Sequence, residues 1–119
     1  MNEERKDTDR LGLSERSRQI LDEIQADCNF NSSLSIYRLA VACGIYEKVD
    51  ISNHTVNRPS GHMYLISQFD PDNIFANVID NLFPHLKSQK YRALEKFADL
   101  GVHRLHEHLQ RSNDVVFWT

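Results

Sequence analysis

Three histidines crowd one short stretch of this sequence: His103, His106 and His108 in GVHRLHEHLQ. Imidazoles one helical turn apart are ordinary metal ligands, so this spacing is a first candidate for chemistry. On a helix His103 and His106 fall one turn apart, whereas His108 points away from His106. A zinc site needs ligands converging from about four directions, and no matching Cys/His pair stands nearby. No metal and no cofactor is therefore expected. Histidines near a helix C-terminus, where positive charge is favourable, account for the cluster.

The other reactive side chains are equally restrained. Cys28 and Cys43 fall on apolar helical faces, whereas a reactive thiol needs a basic, partly exposed setting. They read as small buried hydrophobes. Glu95 and Asp99 form an i,i+4 carboxylate pair, but with Arg92 and Lys96 beside them a solvated face is expected rather than an acid/base dyad. There is no glycine-rich phosphate loop, no HExxH and no GxSxG. The expectation is a protein that is not an enzyme.

What remains is charge. The 119 residues carry a formal charge of −3, too acidic for a protein that coats DNA. Residues 1–30 hold eight acidic and five basic side chains, whereas residues 87–111 hold six basic against three acidic ones. Lys87, Lys90, Arg92 and Lys96 thus make a local basic stretch. It is either a solvated helix face or a surface for phosphates or an acidic partner. Two cysteines, no signal-peptide pattern and no long apolar run lead to a cytoplasmic expectation.

The elements that must position these groups come from periodicity. A chain of this length fits one domain. Residues 1–8 are expected as a disordered tail, 9–112 as a single helical domain and 113–119 as an apolar C-terminal tail. Leu11 and Leu13 alternate with Arg10 and Gly12, which fits a short strand. Ser14 starts a helix whose apolar face is Ile20, Leu21, Ile24 and Cys28. Asn31, Ser32 and Ser33 break it and start a second, almost wholly apolar helix. Gly44 is expected to end that helix in a left-handed cap.

Further on, His62 to Phe69 is a short apolar run, slightly favouring a strand. Asp70 and Pro71 predict an N-cap and first helical position, followed by an apolar stripe from Ile74 to Phe83. Ser88 is expected to cap a long last helix. Its apolar spacing runs through Gly101, which predicts close approach to a neighbour. The fold class is mainly α: a small single-domain helical protein with a short N-terminal strand.

A strand this short needs a partner. Two copies pairing antiparallel would give a ribbon-helix-helix plan, with the ribbon offering Arg10 to DNA bases and Ser32 and Ser33 a helix start to phosphate. The competing arrangement packs Leu11 and Leu13 on the chain's own core and leaves Arg10 in solvent. Burial demands also predict self-association, through Ile36 and Leu39 of the apolar helix and Phe117 and Trp118 of the tail.

The segments RLGLSERSRQILDEIQ and FNSSLSIYRLAVACGI, with ALEKFADLGVHRLHEHL much later, resemble the small E subunit of bacterial DNA phosphorothioation (Dnd) systems. The matching features are Arg10 to Leu13, Asn31 to Ser33, Arg38 to Ala40, and Gly101 to Leu105. They cover the first third and last quarter of the chain. The resemblance implies a helical, non-enzymatic homo-oligomer of a DNA-modification or anti-phage system. Its partners would be double-stranded or nicked DNA and larger subunits of that system. The acidic charge departs from the lysine-rich pattern of that family. A protein–protein adaptor without DNA contact is the alternative.

Overall fold

The computed structural model describes residues 7–30, 32–57 and 63–111. The order is β1 (Arg10–Leu11), α1 (Glu15–Cys28), α2 (Ser33–Tyr46), β2 (Tyr64–Leu65), α3 (Ile66–Phe69), α4 (Ile74–Leu82), a 3-10 turn (Pro84–Gln89) and α5 (Lys90–Arg111). It is the mainly helical, single-domain fold with a short N-terminal strand that periodicity predicts. Among the described residues no helix is long and apolar enough to cross a membrane.

The centre is the crossing of α2 on α5. Ile36, Tyr37, Ala40 and Val41 of α2 meet a core completed by Leu94, Phe97, Ala98, Val102 and Leu105 of α5, all nearly or fully buried. Gly101 is where the two backbones touch: a Cβ built there would lie 2.0 Å from the Ala40 carbonyl oxygen. Close approach is thus the reason for this glycine. Gly44, expected as a left-handed stop, does the same from the other side, its virtual Cβ lying 2.5 Å from the Phe97 carbonyl oxygen. The helix runs on to Tyr46, and the residue with positive φ is Lys48, at 56°. Helix–helix contact, rather than termination, explains Gly44.

Strand β1 pairs antiparallel with β2 of its own chain, Arg10 opposite Leu65 and Leu11 opposite Tyr64. Leu11 and Leu13 are buried in the core and Arg10 is exposed. The strand needs a partner and finds it in β2, so this pairing takes one edge that a second copy would use in a ribbon. Tyr37 joins these layers. Its hydroxyl donates to the Gly12 carbonyl at 3.0 Å, and its ring packs on Tyr64 and Phe69 at 5.0 and 5.7 Å.

Three helix starts differ from expectation. Asp7, placed by sequence in a disordered tail, caps α5 through both carboxylate oxygens, accepting from the Tyr91 and Arg92 N–H groups at 2.9 Å. The folded domain therefore includes residues 7 and 8, and Ser88 is not the cap. Helix α4 starts at Ile74 after Asn73, which has positive φ, rather than at Pro71. Asp70 still serves it: its buried carboxylate accepts from Phe75 and Ala76 N–H at 3.1 and 2.9 Å. The 62–69 run divides, two residues of strand leading directly into the single turn α3.

Candidate functional site

Residues 7–14 lie along α5, held at one end by the Asp7 carboxylate on the helix start and at the other by carboxylates of α5 itself. Glu95 accepts from Gly12 N–H at 2.8 Å, and Asp99 accepts from Ser14 N–H at 2.7 Å and from the Ser14 hydroxyl at 2.8 Å. Both acids are buried, so the solvated face expected of this pair is overturned. One turn of α5 matches two residues of extended chain, and carboxylates satisfy donors that no strand partner reaches. Asp99 also takes His54 Nε2 at 2.7 Å. The loop after α2 is thereby pinned to the same point.

Ser17 and His103 add a hydroxyl and an imidazole to this centre, 3.1 Å apart. The combination of serine, histidine and aspartate suggests nucleophilic catalysis, but the hydrogen bonds run the wrong way. The Ser17 hydroxyl donates to the Asp99 carbonyl oxygen at 2.9 Å. Its oxygen is then left to accept from His103 rather than to be deprotonated by it. Ser17 is also buried. Burial outweighs nearby Asp99 and holds the His103 pKa below its ordinary 6.5. The cluster is a buried polar clamp.

The other two histidines diverge. His106 faces Glu23 at 3.5 Å, and His108 bonds Glu47 at the end of α2. The sequence trio is thus spread over three partners. A different trio converges instead: Cys43, Glu47 and His108, with their ligand-type atoms all within 4.8 Å of one another. Cys43 Sγ lies 3.8 Å from Glu47 Oε2. Burial, then Glu47, pushes the Cys43 thiol up to about 11. The His108 hydrogen bond holds the Glu47 carboxyl below its usual range. The i,i+4 step from Cys43 to Glu47 is visible in sequence, but nothing local points to His108.

Part of the positive charge on this end of the chain is spent on partners within the fold. Lys90 pairs with Asp80 at 2.9 Å, and Arg104 with Glu47 at 3.4 Å and Glu107 at 3.5 Å. Arg10 and Lys87 are exposed and Lys96 half-buried. These three meet no carboxylate among the described residues. Arg92 and Lys96 are one turn apart on α5. Ser32 caps α2, its hydroxyl accepting from Ser35 N–H at 3.2 Å, and the Ser33 hydroxyl accepts from Tyr64 at 2.7 Å. The helix start offered to phosphate is therefore already committed to the fold at Ser33.

The expected oligomer face is corrected at one position. Ile36 is fully buried in the chain's own core and Leu39 half-buried against it, because α5 covers the face of α2 that carries Ile36. Phe117 and Trp118 lie outside the described residues. The exposed large apolar side chains among the described residues are Tyr46, Leu65, Ile74 and Leu82. Ile74 and Leu82 bracket half-buried Val78 at i, i+4, i+8 on α4, a continuous outward stripe. Comparison with protein-family models, with curated proteins and with solved structures finds no match.

Proposed function

We propose that this chain is a non-enzymatic accessory subunit that self-associates and serves as a protein–protein adaptor. The setting is the one its resemblance implies, a DNA-modification or anti-phage system. The outward stripe of Ile74, Val78 and Leu82 carries this reading. Ile74 and Leu82 are 62% and 61% exposed, and an aliphatic row left in water is favourable to cover. Its neighbours Asn77 and Asn81 are uncharged, so they set no like charge against a second copy crossing α4 about a two-fold axis. Asp80, the acid on this helix, is already paired with Lys90.

A second reading, direct DNA contact, is favoured by Arg10, Lys87 and Lys96, which meet no carboxylate among the described residues. It is weaker because Lys90 and Arg104 are tied to acids. Light scattering at tens of micromolar tests self-association. A dimer is expected for the wild type and a folded monomer for Ile74→Asp/Leu82→Asp, whereas a monomeric wild type rejects the proposal. DNA is tested by titrating intact and nicked duplex at low salt. Three phosphate contacts would give a log–log salt slope of about −2.7, abolished by Lys87→Glu/Lys96→Glu. No binding at low salt removes the DNA reading and leaves the adaptor.

A further inference from the structure

Cys43 and Glu47 stand one turn apart at the C-terminal end of α2, and His108 reaches them from α5. Each offers one atom suited to a metal: a sulfur, a carboxylate oxygen and an imidazole nitrogen, all within 4.8 Å of one another. In a tetrahedral zinc site with bonds of about 2.0–2.3 Å, ligand atoms sit about 3.5 Å apart. The 3.8 Å between Cys43 Sγ and Glu47 Oε2 is close to that value, whereas His108 Nε2 and Glu47 Oε2 are in direct hydrogen-bond contact and move apart for both to reach one ion. From this convergence we infer that Cys43, Glu47 and His108 form a three-ligand site for a divalent transition metal of the zinc class, with the fourth position open to water.

The scaffold supports it. Metal sites in helical proteins are built from side chains on facing helices, as these three are. Here the neighbours are locked, because Gly44 and Gly101 bring the two backbones into contact beside Cys43. Arg104 Nε lies 3.4 Å from Glu47 Oε1. That contact orients the carboxylate and leaves Oε2 as a single donor atom. The donor set selects the metal class. Magnesium and calcium take oxygen ligands, whereas one sulfur, one nitrogen and one oxygen suit zinc or cobalt. His108 is 37% exposed on its side chain, so an ion has a path in.

Binding involves no change of oxidation state. Cys43 releases its proton to solvent, and His108 gives up the Nε2 hydrogen it holds toward Glu47, leaving a neutral imidazole with its hydrogen on Nδ1; Sγ, Oε2 and Nε2 then each donate an electron pair to the ion. One thiolate and one carboxylate then face a dication beside one guanidinium, a net charge of +1 that a half-exposed site can hold.

Cobalt(II) titration of the reduced, chelator-treated full chain tests the inference. The expected result is one cobalt per chain with a thiolate-to-cobalt charge-transfer band in the near ultraviolet, displaced by zinc. Cys43→Ser should abolish the band. Glu47→Gln and His108→Gln should each weaken affinity roughly tenfold or more. Cys28→Ser should change nothing, and circular dichroism checks that every variant is folded. Absence of the band in the wild type overturns the site. So does a band that survives Cys43→Ser, that is lost in Cys28→Ser, or that keeps full affinity in folded His108→Gln.

Discussion

Gly101 of α5 packs against Gly44 of α2 with no side chain between them: a Cβ on Gly101 would lie 2.9 Å from the Gly44 nitrogen. Both obstacles to a larger residue are backbone, which cannot rotate aside. Gly101→Ala gains about 1 kcal/mol of helix propensity, yet it must push apart the two helices that make the core. Overpacking of this kind costs about 1–3 kcal/mol, occasionally more. Net destabilisation is expected for Gly101→Ala and for Gly44→Ala, read as a lower urea midpoint. An unchanged midpoint for both would show that the helices separate at no cost.

Asp99 holds three donors at once, from Ser14 twice and from His54. Asp99→Ala leaves the half-buried donors of Ser14 and His54 without their acceptor, at about 1 kcal/mol each. A loss of about 3 kcal/mol is expected, with Asp99→Asn milder because its amide keeps one accepting oxygen. Chemical denaturation of the two variants should rank them in that order. Equal losses would count against the clamp.

Asp7 bonds α5 from 84 residues away in the chain. Asp7→Ala should cost about 0.5–2 kcal/mol, the usual worth of a helix cap. Because a carboxylate at a helix N-terminus also meets the positive end of the dipole, Asp7→Asn should recover only part of this. Thermal unfolding of the three proteins side by side measures it, and identical curves would remove Asp7 from the folded domain.

His103 titrates lower in the folded protein than its ordinary 6.5, chiefly through burial. Between the two values the unfolded chain binds more protons, so stability is present above about 6.5 and falls as pH drops below it. The lowered Glu47 carboxyl acts in the same direction, but only as pH falls below its ordinary 4.5. The urea midpoint is therefore expected to decline between about pH 7 and about pH 5, a range where histidines titrate. His103→Gln should flatten that decline. A variant as pH-sensitive as the wild type would assign the effect elsewhere.

Local pattern was enough for several features. The apolar spacing of α1 and α5, the polar break before α2, the single-domain mainly helical class and the close approach at Gly101 all follow from residues within a few turns. Helix faces and caps are short-range matters, set by a 3.6-residue period and by nearby side chains. The tertiary structure decided everything that joins distant residues. Glu95 and Asp99 look solvated in sequence because their neighbours are charged. They are buried because the extended chain from Gly12 to Ser14 brings unpaired N–H groups to that face of α5. Ile36 looks like an interface residue because α2 is so apolar, but α5 covers it. His108 looks like one of three clustered histidines, and it is the end of α2 that gives it Glu47 and Cys43 as company. Each misreading has one cause: periodicity says which face a residue occupies, and only packing says what that face meets.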